Sequence, residues 1–346
     1  MATLSKLMKF ISIPGSVTAL LSTSYALELK GDTFGTLNLS GAITGYMVYT
    51  DNKSDNKRIR YDVGSALISL SKTPEPIGFT IVGGAYSFPV VGAPLSKASD
   101  YTSLYSAIPI AYLEISPSKR FSLQVGKLPT LIGYESPFTY QNNYIQRGLI
   151  WNMQPVIHNG LRFVYTADVF TLKAGVNDGF YTLSTSNPKP AFEGSIALTP
   201  IKDLSLSFNL LIPDTSSRPN NREYNAVISY SVGKLSFGMD FVYVESPHTP
   251  SKAEAEGGCL HLSYAFNDKL KLSSRLEYVK DKSGDGVDLV GLGDGNKGYT
   301  FTISPSYTKG NLFGRVELSY VKADKPFTQN LKDHQTRMAM EVGFLF

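Results

Sequence analysis

At 346 residues the chain has room for two or three ordinary domains, or for one large β domain. Charged residues make up 18% and the net charge is +4, with no basic cluster, so nucleic acid is excluded as a partner. The one cysteine, Cys259, excludes an internal disulfide.

Residues 1–26 have the order of a secretory signal. Lys6 and Lys9 make a basic start, Phe10–Leu21 is mostly apolar although Pro14 and Gly15 interrupt it, and Ser24-Tyr25-Ala26 is a small-x-small cleavage site. The alternative for this stretch is a short amphipathic helix. Beyond it no run approaches the ~20 apolar residues of a transmembrane helix. The expected mature protein is therefore one unit, 27–346, exported without a helical anchor.

From Phe34 onward, strand-like runs follow one another. In chain order they are 34–50, 58–72, 77–89, 105–116, 119–127, 159–166, 169–177, 191–200, 203–212, 222–232, 234–245, 256–266, 269–280, 297–308, 311–321 and 335–346. That predicts sixteen strands, with fourteen or eighteen as the neighbouring possibilities. Short connections built from Pro, Asn-Asp and Lys-Gly alternate with long ones at 51–57, 90–104, 128–158, 179–190, 213–221, 246–255, 281–296 and 322–334. A soluble sandwich has no reason to alternate so regularly. A transmembrane antiparallel up-and-down β-barrel does, with tight turns on the periplasmic side and long loops outside.

The faces agree. Leu204, Leu206, Phe208, Leu210 and Ile212 alternate with Ser205, Ser207 and Asn209, and Tyr299, Phe301 and Ile303 with Thr300, Thr302 and Ser304. The apolar side of several strands carries an aromatic at its end, as in Tyr165, Tyr230, Tyr243, Tyr264, Tyr278, Tyr307 and Tyr320, which suits a membrane-interface girdle. In hydrocarbon every backbone polar group needs an internal partner, so the last strand must pair with the first and close the ring. The chain ends accordingly in mid-alternation. Its Val342-x-Phe344-x-Phe346 resembles the C-terminal signal by which outer-membrane proteins reach the barrel-assembly machinery. The expected location is the bacterial outer membrane, in contact with its lipid and lipopolysaccharide.

A barrel of this size leaves an aqueous interior. The polar face carries charges of both signs, including Arg60, Arg120, Arg162, Arg275, Glu277, Arg315, Glu317, Arg337 and Glu341. Segregated to opposite walls they would set a transverse field; mixed along one wall they would form salt bridges that keep it hydrated and rigid. Residues 128–158 do not alternate. They hold the one tryptophan, Trp151, and too much apolar area to sit freely in water. This third long loop is expected to fold into the lumen and constrict it, with Glu135, Asn142, Asn143 and Arg147 facing the channel. A cap over the mouth and a trimer contact are the other possibilities.

That stretch also has a recognisable order: Gly126-Lys127, Gly133-Tyr134-Glu135, Asn142-Asn143 with Arg147, then Pro155-Val156-Ile157-His158-Asn159-Gly160 leading into a strand. It resembles the OmpL-like β-barrel porin family over residues 126–160, although Gln146 stands where serine is more usual before the arginine. The resemblance implies an outer-membrane porin-like channel for small polar solutes or ions, and no particular substrate; a homotrimer is expected by analogy.

Other motifs carry less. His158, His248, His261 and His334 share no metal spacing, and His158 is expected to hydrogen-bond within its loop. His261 and Ser263 share a face, but it is the predicted luminal face, away from lipid. The run beginning at Asp281 starts like a calcium loop, yet its twelfth position is Leu292, leaving weak ion binding or a solvated Gly/Asp loop. No catalytic residue, metal site or cofactor is assigned. A non-conducting barrel used as a surface scaffold is the alternative function, and a lipid-modifying enzyme a more distant one.

Overall fold

Period-two alternation over about ten residues, repeated along the chain, needs a sheet with a different solvent on each side. The computed structural model, which describes residues 26–32, 35–52, 58–180, 190–214, 221–246, 253–283 and 286–346, has that form. The expected signal lies, but for Ala26, outside the described residues.

The strands are β1 (Leu27–Gly31), β2 (Gly35–Thr50), β3 (Ile59–Lys72), β4 (Ile77–Tyr86), β5 (Ile110–Ser118), β6 (Phe121–Pro129), β7 (Ile157–Thr166), β8 (Phe170–Asn177), β9 (Ala191–Leu198), β10 (Leu204–Pro213), β11 (Arg222–Val232), β12 (Leu235–Ser246), β13 (Ala253–Ala265), β14 (Leu270–Asp281), β15 (Lys297–Lys309), β16 (Leu312–Ala323) and β17 (His334–Leu345). Each of β2 to β17 pairs antiparallel with its sequence neighbour, and β17 pairs with β2, so sixteen strands close into a barrel. β1 lies outside this ring and folds back on the start of β2.

At the seam, Arg337 opposes Thr50 and Leu345 opposes Ala42. The ladder runs to the last residue: the Gly41 N–H donates to the Phe346 carbonyl at 2.6 Å, and the Phe346 N–H donates to the Gly41 carbonyl at 3.0 Å. A Cβ at position 41 would overlap the Phe346 ring, so glycine there lets the terminal aromatic lie on the seam.

Side chains alternate as the sequence implies. On β17, Met338, Met340, Val342 and Phe344 are exposed, while Arg337, Ala339, Glu341 and Leu345 are buried. The exposed set faces outward and the buried set inward. No helix among the described residues is long and apolar enough to cross a membrane.

Three details differ from the sequence expectation. Residues 87–89 and 105–109 leave the sheet, and the loop between them carries α1 (Ala98–Tyr105). The α1 start is held by a strand carboxylate, since the Ala98 N–H donates to Asp62 Oδ2 at 2.9 Å. β7 and β13 also begin two or three residues early, extending the wall at the long-loop end.

Candidate permeation site

The inward-facing charges of opposite sign are paired with one another where they stand, not segregated by sign to opposite walls. Arg315 stands opposite Glu341 in the β16–β17 register, and its Nε donates to Glu341 Oε2 at 2.6 Å. Arg275 and Glu277, two apart on β14, are 3.2 Å apart. Across the barrel, Arg162 on β7 reaches Glu193 on β9 at 2.6 Å. It does so over Gly175 of β8, where a Cβ would sit 2.8 Å from Glu193 Oε1. Salt-bridge pairing along the wall is thus the arrangement present, and no transverse field arises from these pairs.

The connection 130–156, between β6 and β7, is bonded to this wall at many points. Arg275 donates to Glu135 Oε1 at 2.5 Å and to the Gln146 carbonyl at 3.0 Å, and its guanidinium lies 4.7 Å from the Tyr144 ring centroid. Arg315 donates to the carbonyls of Asn142 (2.5 Å) and Thr139 (2.7 Å). Glu317 accepts from the Ile145 N–H at 2.6 Å and from Gln146 Nε2 at 2.8 Å. Arg337 donates to Gln146 Oε1 at 2.9 Å and to the Val90 carbonyl, in the β4–β5 loop, at 2.7 Å. Asp240 on β12 accepts from the Tyr134 N–H and from Gln154. Wall charges that sequence periodicity assigns to open water are satisfied instead by loop backbone, as charged groups taken from water must be.

The four loop residues expected to face a channel have different fates. Arg147 is fully buried and holds the loop's own fold, donating to the carbonyls of Ser136 (2.8 Å), Pro137 (2.7 Å) and Ile145 (3.2 Å). Asn142 bonds locally to Ser136 and Phe138. Glu135 is ion-paired with Arg275 and accepts the Gly148 N–H at 2.7 Å. Burial alone would raise the Glu135 carboxyl; the Arg275 guanidinium, with His261 and Arg147, outweighs it and holds the group below its ordinary 4.5. Asn143 remains half-buried, bonded to Lys271 and Ser263. Arg60 donates to the Leu95 carbonyl at 2.9 Å. Arg120 is not a wall residue: it lies exposed in the β5–β6 turn, because the strand pairing stops at Ser118.

At Gly148 the loop backbone lies close against the wall. A Cβ there would overlap the Glu277 carboxylate, itself held by Thr300 at 2.8 Å. Gly148→Ala is therefore expected to loosen the segment. Limited trypsin digestion of the folded barrel should leave Arg147 uncut in the wild type and cleave it in the variant; equal protection would refute tight seating.

The remaining motifs resolve simply. His261 Nε2 contacts Cys259 Sγ at 3.1 Å and its ring stacks on Tyr134, whereas Ser263 donates to Ser273. The two do not form a nucleophile–base pair. His158 bonds to the Gly179 carbonyl of the following loop rather than within its own. Asp288 is taken up by the N–H groups of Val290, Gly291 and Gly293, and Asp281 by those of Ser283 and Leu289. His248 and residues 284–285 of the Asp281 run lie outside the described residues. A depression of about 810 Å³ over Gly194, Ala226 and Gly258 is on the outward, apolar side and is not part of the passage.

A closed sixteen-stranded antiparallel barrel, oily outside and charged within, defines the class as an outer-membrane β-barrel of porin type. Residues 36–346 match the family described as "Putative beta-barrel porin-2, OmpL-like", and the chain belongs to that family. No curated protein matches it. Among solved structures, it is similar to the outer-membrane channel DcaP of Acinetobacter baumannii, with 15% identity, TM-score 0.64, and 92% of this chain and 99% of that one covered. It is also similar to OmpT, an outer membrane protein of Vibrio cholerae, at 14% identity and TM-score 0.62, with 92% of this chain and 100% of that one covered. A trimer form of in-vitro folded OmpT matches at 13% identity and TM-score 0.60, covering 90% and 99%.

Proposed function

We propose that this protein is a passive diffusion porin whose 130–156 segment lies in the lumen and narrows it, leaving a passage along the β4–β10 wall. The observation that carries this is an asymmetry of polar contact. The segment hydrogen-bonds to inward side chains of β11 to β14, β16, β17, β2 and β3, and these are mostly buried. Opposite them Thr80, Glu114, Gln124, Lys173 and Ser195 keep partial exposure. A passage bordered by Glu114 and Lys173 would suit small hydrophilic solutes of either charge. The chain would act in the outer membrane, against lipid and lipopolysaccharide, after removal of residues 1–26 and delivery to the barrel-assembly machinery through Val342, Phe344 and Phe346. It would work as a homotrimer, as one form of the related OmpT does, and no catalytic step is assigned.

Purified protein added to a planar bilayer under a salt gradient is expected to give discrete conductance steps with a weak reversal potential. Folded protein that gives no steps at any voltage would overturn the diffusion reading. It would favour the second one, a scaffold barrel whose loop is a plug. The full burial of Arg147, Arg275 and Glu317 gives that alternative its support.

A further inference from the structure

The outward side of β9 to β14 has a hollow that the passage does not use. One cross-strand row there runs Phe208, Ala226, Phe241, Gly258 and Tyr278, each opposite the next in the strand register. Large and small side chains alternate along it, and the three rings are exposed. With strands ~4.8 Å apart, the ridges on either side of Ala226, and of Gly258, stand roughly 10 Å apart at their backbones. The two furrows between them belong to the depression of about 810 Å³, a volume in the range of ligand pockets. Towards the short turns the next row is Ile228, Met239, Leu260 and Leu276, all of them large, and it closes both furrows at that end.

The backbone does not demand the glycine. Gly258 has no positive φ, and a Cβ on it would meet the Phe241 ring at an ordinary 3.4 Å. On the inward face, at Gly175 and Gly238, a Cβ would instead crowd a neighbouring side chain. Glycine weakens a strand, and one that no neighbour requires marks a place where another molecule comes close. The other end of the hollow has the character of the membrane–water boundary. One row further towards the long loops Tyr224 stands opposite Tyr243. Beyond them come the ion pairs Arg222–Glu245 (3.1 Å) and Lys282–Glu256 (2.6 Å), and Tyr243 Oη donates to Glu245 at 3.1 Å. Tyrosines capped by charge are the tier a headgroup layer selects. The Arg222 and Lys282 side chains keep 31% and 33% exposure, so a protein laid over the hollow would strip water from both pairs at a cost. A lipid leaves them among headgroups. Each pair is neutral and selects no headgroup sign.

From this we infer that the hollow is a binding site for one diacyl lipid of the leaflet on the long-loop side, with an acyl chain in each furrow. The inference rests on the porin reading only in taking the barrel to be membrane-embedded. The hollow is continuous with the surface that faces lipid, and an empty void there would leave its lining without contact partners. A chain over Gly258 has Phe241 and Tyr278 on its flanks and Leu260 at its end; one over Ala226 has Phe208, Phe241 and Ile228. Recognition is of the tails, and the headgroup stays free in the tyrosine and ion-pair tier.

Filling the furrows tests this without touching the lumen. The purified barrel in detergent is titrated with dimyristoyl phosphatidylglycerol or dimyristoyl phosphatidylcholine and read by native mass spectrometry. One lipid per chain should bind and saturate ahead of any further adducts, with either headgroup. Ala226→Leu and Gly258→Leu should each bind it roughly tenfold more weakly, the equivalent of about two buried methylene groups. Val316→Leu, outward on β16, should bind as the wild type does. No saturating adduct, equal affinity in all four proteins, or strong preference for one headgroup overturns the inference. So do filled variants that lose self-association and keep the lipid, since a second copy would then be the occupant. Should both filled variants fail to fold, Phe241→Ala, which removes the ridge the furrows share, should weaken the same adduct, and undiminished binding would overturn the site. Planar-bilayer conductance of the same preparations separates the two ideas. A conducting barrel without the adduct sinks the lipid site and leaves the porin, while a silent barrel with the adduct does the reverse.

Discussion

Replacing residues 136–150 by a short glycine-serine linker is expected to raise single-channel conductance several-fold at neutral pH. Those residues carry the segment's contacts to Arg315, Glu317, Arg337, Thr44 and Ser65, and the Gln146 carbonyl and Tyr144 ring contacts to Arg275. Removing them uncovers a wall whose side chains are mostly charged or hydroxylated. Water can solvate that wall, so the barrel keeps its hydrogen-bonded ring while the lumen widens. Gly148, Leu149 and Ile150 are the costly part, since Leu149 and Ile150 belong to an apolar cluster with Val279 and Ala255. A modest fall in thermal stability should accompany the gain. If the wild type already conducts, the change is an increase. If it does not, conductance should appear where there was none, which identifies a plug. Unchanged conductance in a folded variant would show that the segment stands clear of the passage.

The same segment marks the limit of what the sequence could reveal. Sixteen strands, their order, the seam and the turn positions follow from alternation, because each residue must choose between oil and water independently of distant partners. The strand ends at 87–89 and 105–109 were not legible. There the backbone is claimed by contacts such as Tyr86 Oη donating to the Ser106 carbonyl at 2.7 Å, and α1 begins on Asp62 of another element. Periodicity correctly placed Arg275, Arg315, Glu317 and Arg337 on the inward face, but could not say whether water or protein would meet them. Their partners in the loops lie more than a hundred positions away and are mostly backbone carbonyls and amides, which carry no signature in side-chain pattern. Glycines are the trace that was present. Gly148, Gly175 and Gly238 sit where a Cβ would crowd Glu277, Glu193 or the Tyr134 ring, and a glycine in a long buried loop or on an inward strand face is a cue to close approach.

Arg275→Ala should have the largest effect of any single substitution on how the segment is seated. The guanidinium stands between Glu135 and Glu277, whose side chains are 8% and 1% exposed, and also holds the Gln146 carbonyl and Thr302. Without it two carboxylates face each other in a dry site. Breaking a buried pair in this way costs about 3–5 kcal/mol, roughly a hundredfold to a few thousandfold in the seated population. Arg275→Lys should recover little, because an ammonium cannot reproduce a planar fork that reaches several acceptors while stacking on Tyr144. The checkable result is a noisy, higher-conductance channel from a barrel that still folds. Acid should act on the same joint in the wild type. A carboxyl held below its ordinary value stabilises the seated form wherever it is ionised in both states, so the Glu135 contribution is complete above pH 4.5 and is lost as pH falls below that through its lowered value. Conductance should therefore rise and become noisy as pH falls below 4.5. In Arg275→Ala, where nothing remains to lower the Glu135 carboxyl so strongly, the transition should shift to higher pH. A wild-type acid response that is flat to pH 3, or one identical in both proteins, would mean that this ion pair does not fasten the segment to the wall.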